Sequence, residues 1–556
     1  MTARSPLRMQ LQGVRAACGA IRRELPAAAV VAVLLVPQSL AYALLAGLPA
    51  QVGLYASVLP LLAYALFGAS PLLGFGPAAV LALMIAQALA QLPPGVAPEA
   101  AALVLAAQVG LALLLAAWLR LHALAALLSA PVLQGFEIGA ALSIALSQLP
   151  VLLGSLAHGA DLITVLHSAA ATGWQIQPGT ALIGGLAVLA LLAARRWLRG
   201  LAAKLAPLAV LVGCTALLLT AGPGLGPVAQ IGTLPPLSFS ATLPLLDLQL
   251  WRALLPSALS IALVAFVSNL VVAQSLGRRA GLAVDPRAEM RGLGAANLAA
   301  AFSAGMPVAA SFSRSVLLAD AGVRSRWAGA LVGLLIAAAL LLLAEPLALL
   351  PKAALAATII VAVLSGLKLA PLRQAWRYSR TEALLMLSVA AVALCRDVGE
   401  AIALGVIVSV ALLLQRTARP HVALLGRVPG TEHYRHAERY AVELRDDVLG
   451  LRIDESLLFT NAGNLADVVL AQLPHCPGAR RVLLQMTPVN TIDLSGLQAL
   501  QDLQQALAAR GLGLDLAEVK GPVLDRLRAS GWERWFDGRL YLSIHQGMEG
   551  RPPDAG

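Results

Sequence analysis

The chain has 556 residues, 59% of them hydrophobic and only 12% charged, with a formal net charge of +11. A soluble globular protein carries roughly twice that share of charge. Apolar runs of about 20 residues recur from Pro26 to about Leu414, so the composition excludes a soluble protein and indicates a polytopic membrane protein.

The first run, Ala27–Leu45, flows into further spans with no polar mature domain behind it, which argues against a cleavable signal. Its end, VPQSLAYALLAGLP (Val36–Pro49), holds Pro37, Gln38, Ser39 and Tyr42 in apolar surroundings. Gln38 and Tyr42 are four residues apart and share one helix face, which suits a cavity better than lipid. Helix–helix hydrogen bonding is the plainer alternative for that face. GASPLLGFGPAAVLALMIAQAL (Gly68–Leu89) follows, with Gly and Pro in its first half and helix formers only in its second. Glu137, in SAPVLQGFEIGAALSIALSQLP, is a charge near a span, open to either a proton-relay role or a structural ion pair.

AAFSAGMPVAASFSRSVLLADAG (Ala300–Gly322) repeats the build of Gly68–Leu89: Gly305 and Pro307, a polar SFSRS, then a short helix. Non-helical backbone at membrane depth is tolerated only beside protein or a wet cavity. Two interrupted segments in corresponding halves predict an inverted-repeat secondary transporter, with its site between two half-helix N-termini. Such ends carry unpaired N–H groups and about half a positive charge, so Gly76–Val80 and Phe312–Ser315 together favour an anion. Arg314, flanked by Ser311, Ser313 and Ser315, adds a charge within a span, which by default marks function. Snorkelling or a structural carboxylate partner is the plainer reading of Arg314, and the anion pathway is preferred over it.

Basic residues cluster at Arg22/Arg23, Arg195/Arg196/Arg199/Lys204, Arg278/Arg279/Arg287/Arg291 and Lys368/Arg373/Arg377/Arg380. The connectors Gln91–Glu99, Val151–Thr180 and Gly222–Leu250 are nearly free of them. This alternation follows the positive-inside rule, places the N-terminus in the cytoplasm, and explains the net charge without nucleic acid. The four cysteines lie far apart, the eight histidines are dispersed, and no Walker motif or Ser–His–Asp arrangement occurs. No metal, cofactor or enzymatic activity is therefore expected.

After Leu414 the composition changes. The expected divisions are a cytoplasmic N-terminal segment 1–25, a membrane domain 26–416, a linker 417–432, a cytoplasmic α/β domain 433–550 and a tail 551–556. Val448–Ile453, Ser456–Ala462, Arg481–Met486 and Leu512–Val519 read as strands. Ser495 reads as the N-cap of a helix with Gln498 as its capping-box partner.

VPQSLAYALLAGLPAQVGLYASVLP, GFGPAAV, SFSRS followed by AGVRS, and LGRVPGTEHY followed by NTIDLSGLQAL closely resemble the sulfate permease (SulP) family, from about residue 22 to 545. The resemblance implies an all-α membrane domain of fourteen spans in two inverted repeats of seven, as in the uracil transporter fold, with a small α/β STAS domain behind it. It implies a bacterial inner-membrane homodimer that carries small anions, sulfate first, with bicarbonate, chloride or dicarboxylates as alternatives. The movement implied is elevator-like, a core domain against a gate domain. A cytoplasmic partner regulating the STAS domain is a further implication; a non-transporting scaffold is a distant alternative. The family's substrate-facing positions correspond to Gln38, Tyr42, Pro77, Ala78, Ala79, Ser313 and Arg314, with Ser311 beside them.

One departure stands out. Ser268 and Asn269 occupy positions where many members have Glu followed by Ser. A carboxylate there could take up a proton and offset an anion's charge. Without it, uncoupled transport, exchange, or coupling through Glu137 gain ground, and Asn269 is left to bind an anion or the neighbouring helices. TIDLSG also resembles the loop that anti-sigma-factor antagonists phosphorylate, here at Ser495, although capping accounts for a serine at that place.

Overall fold

The computed structural model describes residues 6–93, 95–121, 129–235, 243–320, 323, 325, 327–418 and 421–551, without the side chains of residues 6–23, 201, 222, 223 and 313. It divides into two compact units, Met1–Ser409 and Val410–Gly556. Of the N-terminal segment expected at 1–25 and the tail expected at 551–556, residues 1–5 and 552–556 lie outside the described residues.

The first unit is helical. A single helix, Pro6–Leu45, holds both Pro26 and Pro37 without a break. A proline removes one backbone hydrogen bond, a loss that packing against neighbouring helices makes tolerable. Among the described residues nine helices are long and apolar enough to cross a membrane. Five shorter ones, Ala79–Leu89, Pro286–Phe302, Phe312–Asp320, Trp327–Leu342 and Arg380–Cys395, bring the set to the fourteen segments expected when the short apolar helix Leu162–Thr172 is assigned to the connector Val151–Thr180. Ala79–Leu89 and Phe312–Asp320 are third and tenth in that order, hence equivalent positions of two sevens.

Those two are the half-helices anticipated from Gly and Pro. Gly68 ends the preceding helix in an extended conformation, and Gly76 adopts φ +139°, which other residues rarely reach. Past Pro77 the run AVLALMIAQAL is made of helix formers, and the helix starts at Ala79. In front of each half-helix a two-residue strand pairs antiparallel with the other, Phe75 opposite Ala310 and Gly76 opposite Ala309. Small residues let the helices approach closely. A Cβ on Gly53 would lie 1.9 Å from the Ser39 carbonyl oxygen, and one on Gly135 would lie 2.3 Å from that of Met386.

The second unit is a six-stranded sheet in the order Tyr434–His436, Val422–Arg427, Val448–Ile453, Arg481–Gln485, Gly513–Ala517, Leu540–Tyr541. Val422–Arg427 is antiparallel to both neighbours, and the other pairings are parallel. Leu451, Val482, Leu484 and Leu516 pack from the sheet against Leu500, Leu503 and Leu507 of the helix Leu494–Ala508.

Three expectations are corrected here. Val422–Arg427, assigned to a linker, is a strand, because its backbone completes the ladder of Val448–Ile453. Ser456–Ala462 is not a strand; only Leu457 makes a bridge, to Ile492. The Asn461 side chain accepts from Leu458 N (3.0 Å) and donates to Ser456 O (2.9 Å), closing a turn in place of a ladder. Ser495 is not the N-cap. Asp493 is, accepting from Gly496 N at 2.8 Å, while its other oxygen accepts from Phe459 N at 2.7 Å. Its carboxylate serves helix and turn at once, and Ser495 falls inside the first turn, half-buried.

Glu518 gives the sheet a pH dependence. It follows Gly513–Ala517 with φ +57°, a costly conformation for a non-glycine residue. Burial pushes its carboxyl up, but hydrogen bonds from Thr487, the Ile544 N–H and Gln485 outweigh that and hold it below the usual range. A depressed carboxyl contributes stability above its unfolded pKa of about 4.3, and that contribution is lost as pH falls through the folded value. Hydrogen-exchange protection of Gly513–Ala517 in the full chain is therefore expected to drop below about pH 4. Glu518→Gln should lower it at neutral pH and flatten the pH profile; an unchanged profile would refute this role.

Candidate anion site between two half-helices

The two interrupted segments clasp each other. Ser311 N donates to Gly74 O at 3.0 Å, and Gly74 N donates to Ser315 Oγ at 2.9 Å. Ser315 Oγ in turn donates to Ser311 O at 2.7 Å. Asn297 steadies the approach to the second half-helix, accepting from Val308 N at 2.9 Å and donating to Val308 O at 3.1 Å.

Arg314, third residue of the second half-helix, crosses to the first segment. Its Nη2 donates to Pro77 O at 2.8 Å and to Gly76 O at 3.4 Å, the carbonyls just ahead of Ala79–Leu89. The residue is 1% exposed, yet its Nε and Nη1 have no hydrogen-bond partner among the described residues. Gly76 is required here, since a Cβ would lie 2.8 Å from Nη1. Ala78, the N-cap of Ala79–Leu89, makes no side-chain cap, and among the described residues no side chain accepts from the first N–H groups of that helix. An unpaired buried cation is costly, and these donors together form a site that an anion would complete.

Gln38 and Tyr42 do share a face, and both line a cavity of 410 Å³. Its other walls include Lys204, Phe312, Val316 and Thr358, so the second half-helix borders it. Ser39 turns elsewhere, its hydroxyl 2.7 Å from that of Ser57. Pro77, Ala78 and Ala79 do not line the cavity; Pro77 belongs to the site through its carbonyl. The side chain of Ser313 lies outside those described.

The remaining candidates stand apart. Glu137 is exposed on Ala130–Leu153 and does not line the cavity. Ser268 is half-buried on Leu248–Ala280 and does not line it either. Asn269 is fully buried and donates through Nδ2 to Glu289 Oε2 at 3.1 Å.

Glu289 is the polar residue that sequence reading missed. It is 0% exposed; Tyr64 Oη donates to its Oε2 at 2.8 Å and Ser70 N to its Oε1 at 2.8 Å. Set between Arg287 and Arg291, it reads as connector charge or as an acid suited to a helix N-terminus. The mostly small and apolar stretch Gly292–Phe302 later in the same helix is the one sign that it enters the core.

A model of the sulfate permease family matches residues 21–389, most of the membrane unit, and one of the STAS domain matches residues 439–547. The chain belongs to the sulfate permease family. This sulfate permease is 34% identical over 519 residues to the Mycobacterium tuberculosis protein named "Probable sulfate transporter Rv1739c", covering 92% of this chain and 91% of that one. It is 29% identical over 551 residues to the Arabidopsis thaliana protein named "Sulfate transporter 4.1, chloroplastic", covering 94% and 79%. Among solved structures, the murine solute carrier 26 family member A9 anion transporter in its inward-facing state superposes with a TM-score of 0.86 at 22% identity, over 95% of this chain and 91% of that one. The transmembrane domain of a cyanobacterial bicarbonate transporter gives 0.60 at 19% identity, over 70% and 96%. These likenesses establish the helical membrane fold with a STAS domain behind it.

Proposed function

We propose that this permease is a secondary transporter of small oxyanions, sulfate first, bound between the two half-helices by Arg314 and the facing backbone N–H groups. The observation that carries the reading is the buried guanidinium whose Nε and Nη1 have no partner among the described residues. The sulfate transporters to which the chain is related support the choice of oxyanion. Gln38 and Tyr42 wall the cavity that the second half-helix borders at Phe312 and Val316, and this cavity is taken as the anion's approach to Arg314, which does not itself line it. The chemistry on offer is hydrogen-bond donation, which suits binding and release and not bond making, so the protein works as a transporter and not as an enzyme.

The alternation of basic connectors supports a bacterial inner-membrane protein with its N-terminus and STAS domain in the cytoplasm. A homodimer with elevator-like movement of the half-helix core, and a cytoplasmic partner for the STAS domain, complete the proposal. Ser268 carries no carboxyl group, and Glu137 stands away from the cavity, so transport is taken to run without proton coupling.

The test is flux into proteoliposomes with labelled sulfate, bicarbonate, chloride and fumarate, with and without a pH gradient. Saturable sulfate uptake, indifferent to an inward proton gradient, is the expected result. Flux of bicarbonate without sulfate would overturn the substrate, proton-driven uptake would overturn the uncoupled mode, and no flux of any anion would end the transporter reading.

A further inference from the structure

Gln38, Tyr42 and Thr358 give the 410 Å³ cavity its neutral polar groups, and the rest of its wall is apolar but for one residue. Lys204, on Gly200–Ala221, is the single charged side chain among the described residues that lines it. Its Nζ lies 3.2 Å from Oδ2 of Asp320, the last residue of the second half-helix, and the two side chains are 35% and 55% exposed. The pair therefore ties a cavity-lining helix to the half-helix that carries Arg314.

Asp320 is not there for its helix. The C-terminal end of a helix carries partial negative charge, so a carboxylate on the last residue is of the wrong sign. Lys204 offsets that charge, but an ion pair this exposed holds weakly, since solvent screens it and two flexible side chains must be ordered. An oxyanion presents the same acceptor atoms as a carboxylate and can take its place on the ammonium.

We propose that Lys204 is a capture point for the transported oxyanion, and that Asp320 occupies its ammonium until the anion displaces the carboxylate. The inference rests on the transport reading above and adds a second cationic contact, on the side of the basic cytoplasmic connector that carries Lys204. Exchange of one acceptor for another keeps Lys204 paired throughout, so the anion is not bound there tightly enough to stall. Asp320 then sets affinity by competition.

The experiment pairs two measurements on the full-length protein: sulfate affinity in detergent from ligand-induced thermal stabilisation, and the KM of sulfate uptake in proteoliposomes. Asp320→Asn removes the competitor and is expected to lower both the dissociation constant and KM about two- to fivefold, the range of an exposed ion pair. Lys204→Gln is expected to raise both by at least as much, and Lys204→Gln with Asp320→Asn should match Lys204→Gln alone, because Asp320 acts only through Lys204. Both side chains are partly exposed, and the ligand-free melting temperature confirms folding of each variant. Unchanged or weaker affinity in Asp320→Asn, or additive effects in the double variant, would overturn the proposal. If liposomes take up no sulfate, the transport reading fails by itself, while the binding series in detergent still decides the role of Lys204.

Discussion

Replacing Arg314 by alanine is expected to bring sulfate flux to background in proteoliposomes while the protein still reconstitutes. Three things go at once: the hydrogen bonds to Pro77 O and Gly76 O, the donors at Nε and Nη1 that have no partner among the described residues, and the positive charge between the half-helices. Hydrogen bonds to a charged group contribute about 1.5–3 kcal/mol each, so losing two toward the anion predicts at least a hundredfold fall in affinity. Arg314→Lys separates charge from geometry. An ammonium is a point charge on a flexible stem and cannot hold the Pro77 carbonyl while presenting a planar fork to an anion. Flux of roughly a tenth of the native rate or less is expected, with the loss mostly in KM, since charge is kept and orientation is not. Native-like flux in Arg314→Ala would dismiss this residue from the site. The ligand-free melting temperature gives an independent check. A buried cation without an anionic partner is costly to the fold, so Arg314→Ala should melt no more than slightly below the native protein in the absence of sulfate, and gain less from its addition.

How much of this was legible in the sequence depends on the range of the interaction. The half-helices were, because Gly and Pro before a run of Ala and Leu act through the local backbone, and both begin where that change occurs, at Ala79 and Phe312. The shared face of Gln38 and Tyr42 was legible for the same reason, helical spacing being local. The partners of these residues were not. Nothing in SFSRS says that the guanidinium reaches back to Pro77, since the contact depends on two segments more than two hundred residues apart coming together. Ser495 shows a local rule losing to a local competitor. Spacing alone fits a cap at Ser495 with Gln498, but Asp493 also binds Phe459 N from a distant turn, and that second bond fixes the start of the helix earlier. Asn269 was placed on the right helix without its partner, because Glu289 hid among arginines that look like a surface loop.

Glu289→Ala should be the most damaging single change in the membrane unit. It leaves the Asn269 amide without this acceptor, and the Tyr64 hydroxyl and Ser70 N–H with only the longer bonds they make to each other's residue, at 3.4 and 3.2 Å, in place of two of 2.8 Å. A buried donor left unsatisfied costs about 1–3 kcal/mol, a large share of a typical total of about 5–15 kcal/mol. The damage also reaches the site. Ser70 lies in the segment that runs to Gly74, Gly76 and Pro77, so Glu289 anchors one end of the stretch whose other end receives Arg314. Loss of that anchor should lower flux in the fraction that still folds. Glu289→Gln should be milder, for a reason specific to this pocket. The Asn269 Oδ1 has no partner among the described residues, and turning that amide over lets it accept from the new Gln N–H₂. Tyr64→Phe removes one donor and leaves the rest of the cluster, a cost of about 1 kcal/mol. Melting temperatures in detergent should therefore fall in the order Tyr64→Phe, Glu289→Gln, Glu289→Ala, with the last lowest. An alanine variant as stable as the native protein would mean that the three donors find other acceptors, and that Glu289 does not hold the first half-helix in place.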